Sequence, residues 1–136
     1  MQTISQHAAL VYVMVIVSAS DGSMSESELH TIGDLTKYLP VFRGFDERRL
    51  VQVSQECAAI LAEPDGFNAV LGLIGESLPE PLRETAYWLA LEVALSDFRL
   101  APEEVRVLEL LRHALHIDNL VGEALARGAR ARYHGA

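Results

Sequence analysis

The hydrophobic pattern along the chain has a helical period throughout, and no stretch alternates apolar and polar residues between turn signals as a strand would. Ala8 to Val17 is an unbroken apolar run, and helix 1 is read as about residues 3–20. An amphipathic segment at about 26–38 gives helix 2, and Pro40 and Gly44 then mark a loop. Asp46 is placed to cap helix 3, about 46–62, and Pro64, Asp65 and Gly66 break the chain again. Asp65 can cap helix 4, about 66–76. Pro79 and Pro81 open helix 5, about 80–96, and Pro102 suits the first turn of helix 6, about 102–115, where its missing N–H is not needed. Asp118 can cap helix 7, about 119–127, with Gly128 at its end. The expectation is an all-α domain, a compact bundle of about seven helices over residues 1–128, followed by a short basic tail, 129–136.

Helices 1 and 5 are apolar on nearly every side, which predicts that they are the buried central pair. One residue breaks the pattern. Glu92 lies within Leu91-Glu92-Val93-Ala94-Leu95, on a line with Glu84 and Trp88 at i, i+4, i+8. Charged residues are rarely fully buried, so this line reads as a narrow solvent-facing stripe; the other reading is an acid facing a pocket.

The chain matches itself at an offset of 76. Tyr12 to Met24 lies over Trp88 to Leu100, and the register continues with Glu28 on Glu104, Leu29 on Val105, Ile32 on Leu108 and Leu35 on Leu111. Each copy reads as an apolar helix, Ser-Asp, a short break, a hydrophobe, three residues, Glu and an amphipathic helix. Two copies at this spacing predict two pseudo-symmetric halves, since a solenoid needs at least three shorter units. The repeat also bears on the N-terminus. Ala8 to Val17 is too short to span a bilayer. No Lys or Arg precedes it as in a signal peptide, and its second copy sits in mid-chain.

The 136 residues carry 19 acids and 11 bases, a formal charge of −8. Residues 1–100 hold 14 of the acids and only 6 of the bases, while the last eleven residues carry Arg127, Arg130 and Arg132 and no acid. That balance opposes binding to nucleic-acid phosphates or anionic membranes. The tail arginines read as a frayed, solvated terminus. The single Cys57 excludes an intramolecular disulfide or a cysteine zinc cage; it reads as a small core residue and is compatible with a reducing, cytoplasmic setting.

Chemistry concentrates at Asp21-Gly22-Ser23-Met24-Ser25-Glu26-Ser27-Glu28. Asp21 ends one helix and Glu28 opens the next, so two carboxylates, the serine hydroxyls and loop carbonyls share a corner. Such oxygen donors suit a hard divalent cation, Ca²⁺, Mg²⁺ or Mn²⁺. Ser25-x-x-Glu28 is also a capping box, which explains Glu28 without a metal. In the second copy the cap position is Ala101, yet Glu104 remains. His113 and His116 at i, i+3, with Asp118 beyond, form a weaker candidate zinc set; the reading preferred over it is that they complement the negative end of helix 6 and its carbonyls. No nucleophile elbow, P-loop, Rossmann or zinc-protease motif is present, so an enzyme is not expected.

The stretch Ala19 to Glu28, with its degenerate copy Ser96 to Glu104, resembles the TerB family of tellurite-resistance proteins over roughly residues 5–118. The resemblance implies a helical fold of two related halves and divalent-metal binding at Asp21 and Glu28, then at Asp97 and Glu104. Phe98 replaces the motif glycine in the second copy. The expected function is a non-enzymatic cation-binding or sensing module that docks a protein partner. The alternative is a structural homodimeric scaffold without metal.

Overall fold

A computed structural model describes residues 3–20, 25–96 and 100–136. Its described residues form seven α-helices and no strand: α1 (Gln6–Ser18), α2 (Glu26–Tyr38), α3 (Leu50–Leu61), α4 (Gly66–Ser77), α5 (Arg83–Leu95), α6 (Pro102–Ala114) and α7 (Asn119–Arg132). Short 3₁₀ turns at Pro40–Phe42, Glu47–Arg49 and Glu80–Leu82 lie in the connections.

The ends follow from local chemistry. Ser5 caps α1, its hydroxyl accepting the Ala8 N–H at 3.0 Å. Asp46 accepts the Arg48 N–H and so caps the 3₁₀ turn that leads into α3. Pro102 occupies the first turn of α6, as expected. Asp65 behaves differently. It stands before α4 in a left-handed conformation (φ 58°), and its carboxylate takes the Asn68 side-chain amide at 2.7 Å instead of a backbone N–H.

Every residue of α1 from Ala9 to Ser18 is buried, as are eight of the thirteen residues of α5. These two helices pack against each other at the centre, and the rest surround them. Elements that align at the 76-residue offset play matching parts. The bounds of α2, moved by 76, are those of α6. α2 packs on α5 while α6 packs on α1; α3 packs on α1 while α7 packs on α5. The Ser20 hydroxyl donates to the Val17 carbonyl and the Ser96 hydroxyl to the Val93 carbonyl, both at 2.7 Å.

Two departures from the sequence reading concern the second half. Glu92 is 1% exposed, so the line from exposed Glu84 through half-buried Trp88 ends inside the protein. α7 does not stop at Gly128 but runs to Arg132, with Ala129 fully buried. The two facts have one cause, because Arg132 Nε meets Glu92 Oε1 at 2.5 Å. A cation from the chain terminus allows the carboxylate to be buried, and the carboxylate holds the last turn in place.

Cys57 is a fully buried core residue, and burial pushes its thiol pKa up to about 12. The reactive thiolate is therefore scarce as well as inaccessible. Native protein at pH 8 is expected to resist an aromatic disulfide reagent over hours and to react within minutes once denatured. Rapid, complete reaction of the native state would contradict this packing.

Candidate functional site

The two glutamates of the repeated motif occupy the third position of their helices. Ser25, in extended conformation, closes a full capping box. The Glu28 N–H donates to its hydroxyl at 3.1 Å, and the Ser25 N–H donates to Glu28 Oε1 at 2.9 Å. At the second corner Ala101 has no hydroxyl, so half of the box is missing. The returning bond persists, with the Ala101 N–H donating to Glu104 Oε1 at 3.1 Å. The Glu104 N–H turns instead to the Ala101 carbonyl at 3.0 Å.

Sequence reasoning placed both acids at these corners but missed their depth. Glu28 and Glu104 are each 2% exposed. An ordinary capping glutamate lies at the surface; these sit against the core, each with Oε1 taken by a backbone N–H. No cationic side chain among the described residues meets Glu28. Positive compensation comes from the N-terminal end of its own helix. Asp21 and Asp97, the other two acids of the expected sites, lie outside the described residues. Among the described residues no three His, Cys, Asp or Glu side chains gather as a metal would need. That includes His113, His116 and Asp118: His113 Nε2 contacts Arg112 Nη2 at 3.3 Å, and His116 sits in a left-handed turn after α6.

Beside each corner opens a cleft. One, of about 370 Å³, lies between α1, α2 and α3; the other, of about 300 Å³, lies between α5, α6 and α7. Their walls are related by the 76-residue offset. Val15, Ala19, Leu29 and Ile32 in the first stand where Leu91, Leu95, Val105 and Leu108 stand in the second. The relation reaches the third helix of each half, since Leu50 and Ser54 correspond to Ala126 and Arg130. The clefts differ in chemistry. Among the described residues the first has no charged side chain in its wall, and Leu29 and Val51 at its edge are 53% and 66% exposed. The second carries Glu109, Arg112, His113, Glu123 and Arg130.

Among the described residues no helix is long and apolar enough to cross a membrane. No curated protein and no solved structure matches the chain. A family model, that of tellurite resistance protein TerB, matches residues 7–124, which takes in both corners, the whole first cleft and all of the second but Ala126 and Arg130. With 118 of 136 residues inside the match, the all-helical chain belongs to the TerB family.

Proposed function

We propose that this tellurite-resistance-associated domain is a non-enzymatic cytoplasmic module. It takes a divalent cation at the corner formed by Asp21 and Glu28 and docks a protein partner in a stress response. The observation that carries the reading is the buried Glu28 carboxylate with no cationic partner among the described residues. A carboxylate removed from water needs a counter-charge or strong hydrogen bonds. One backbone N–H and a helix terminus supply part of that requirement, and a hard cation would supply the rest. Oxygen donors of this kind suit Ca²⁺, Mg²⁺ or Mn²⁺. Glu28 would hold the ion through the oxygen that Ser25 does not use, with Asp21 as the second ligand. Asp97 and Glu104 would form a second site of the same design, with Phe98 in place of the glycine. Direct capture of tellurite is disfavoured, because an anion would approach a domain of charge −8.

Titration with Ca²⁺, Mg²⁺ and Mn²⁺ tests the reading. Saturable amide shifts are expected around Ser25 to Glu28 with the diamagnetic ions, and saturable line broadening there with Mn²⁺. Asp21→Asn should abolish both. A flat titration with all three ions, or one that Asp21→Asn leaves intact, would refute the site.

The complete capping box favours a second reading, in which Glu28 only shapes the corner and the domain is a homodimeric scaffold without metal. In that case excess cation leaves the melting temperature unchanged, since only a ligand of the folded state raises it. A monomer at every concentration in sedimentation would exclude the dimer.

A further inference from the structure

The fold does not need an acid at Glu92. The equivalent position in the first half is Ile16, 2% exposed within the unbroken apolar run Ala8 to Val17 of α1. Replacing a buried ion pair by apolar side chains is often neutral or stabilising. The Glu92–Arg132 pair therefore does something that packing alone does not.

Its surroundings have the chemistry of a guanidinium site. The buried Glu92 carboxylate contacts Arg132 Nε at 2.5 Å. The guanidinium carbon lies 6.0 Å from the Trp88 ring centroid and 5.8 Å from that of Tyr133. The Tyr133 hydroxyl donates to the Glu92 backbone carbonyl at 3.3 Å. Carboxylate and indole belong to α5; the cation comes from the end of the chain and is itself 62% exposed. Beyond buried Ala129 the last residues are exposed except for half-buried Tyr133. The terminal turn is thus held by two side chains rather than by a packed face. Charge points the same way. Without Arg127, Arg130 and Arg132, 19 acids face 8 remaining bases, a charge of −11.

We propose that Glu92 and Trp88 form an arginine-binding site on α5, filled here by the chain's own Arg132. A partner segment carrying an arginine can take its place and release the last turn of α7. The planar guanidinium satisfies a carboxylate and an aromatic face at once, which a lysine ammonium does less well.

The chain has a single tryptophan, Trp88, and its fluorescence reads the site directly. In full-length Arg132→Ala, N-acetyl-arginine methylamide is expected to give a saturable fluorescence change and to raise the melting temperature. The lysine analogue should bind roughly ten times more weakly. The double variant Glu92→Gln/Arg132→Ala should show neither effect. Equal responses from Arg132→Ala and the double variant would overturn the proposal.

A second measurement keeps the proposal testable if Arg132→Ala fails to fold. It uses the unaltered protein and a free peptide of the sequence 129–136. A short tether gives an effective concentration in the millimolar range, so peptide at tens of millimolar competes with the attached tail. The Tyr133 ring resonances should move towards the released state as peptide is added, and a peptide with its two arginines changed to alanine should leave them in place. Identical behaviour of the two peptides would refute arginine recognition.

Discussion

Arg132→Ala is expected to destabilise the domain by about 2–3 kcal/mol in urea denaturation, an unusual loss for a largely exposed side chain. The size follows from the burial of its partner. Removing one member of a fully buried ion pair costs about 3–5 kcal/mol, because a charge is left in the interior without compensation. Arg132 is 62% exposed and Glu92 1% exposed, so water reaches one side of the pair and the cost falls below that range. An exposed pair would contribute ~1 kcal/mol or less. The two cases are therefore separable by measurement. A companion variant isolates the mechanism. Glu92→Ile with Arg132→Leu copies the apolar arrangement at Ile16 and should stay within about 1 kcal/mol of the parent. If Arg132→Ala lost less than about 0.5 kcal/mol, the pair would behave as a surface contact. Glu92 would then be stabilised by something other than Arg132.

Tyr133 adds a second fastening to the same turn. Burial first, and then the hydrogen bond and negative charge of Glu92, together raise its hydroxyl pKa to about 12. The phenol therefore stays neutral and able to donate at any ordinary pH. This arrangement was not legible in the sequence. Glu84, Trp88 and Glu92 repeat at i, i+4, i+8, and a helical period assigns such a line to one face, which reads as solvent because it holds two acids. The period cannot report that an arginine forty residues later will arrive beside Glu92. Gly128 misled for a related reason. A glycine near the end of a periodic segment commonly stops a helix. Here the chain continues, because the anchor that rewards another turn lies beyond it at Arg132.

Other features were legible because their causes are local. The limits of α2 and α6 follow from Ser25-x-x-Glu28 and from Pro102, and the structure places both helix starts there. The central position of α1 and α5 follows from apolar residues on all sides. The position of Glu28 and Glu104 on their helices was likewise clear from spacing. Their burial was not, because it depends on how closely each corner packs against the central helices. The paired clefts also escaped notice. The correspondence of Leu50 with Ala126 and of Ser54 with Arg130 is too weak in residue type to register until the backbone shows the positions to be equivalent.

Gly66→Ala is expected to cost about 3 kcal/mol or more, while Gly72→Ala in the same helix should be neutral or stabilising by up to about 1 kcal/mol. The contrast comes from what each new methyl would meet. A Cβ built on Gly66 would lie 2.0 Å from the Ile60 carbonyl oxygen and 2.9 Å from the carbonyl carbons of Ile60 and Leu61. These are backbone atoms at the end of α3, so no side-chain rotation can relieve the clash. The turn itself has little slack. Asp65 is already left-handed at φ 58°, and the Gly66 N–H is committed to the Glu63 carbonyl at 3.0 Å. Relief requires α4 to move away from α3, and both pack against α1, so the strain reaches the central pair. Gly72 has no heavy atom within 4 Å of its would-be Cβ and lies exposed in the body of α4. There alanine only removes the entropy that glycine loses on entering a helix. Urea midpoints of the two variants should therefore move in opposite directions or by very unequal amounts. Equal shifts would show that the α3–α4 turn yields more easily than this backbone contact allows.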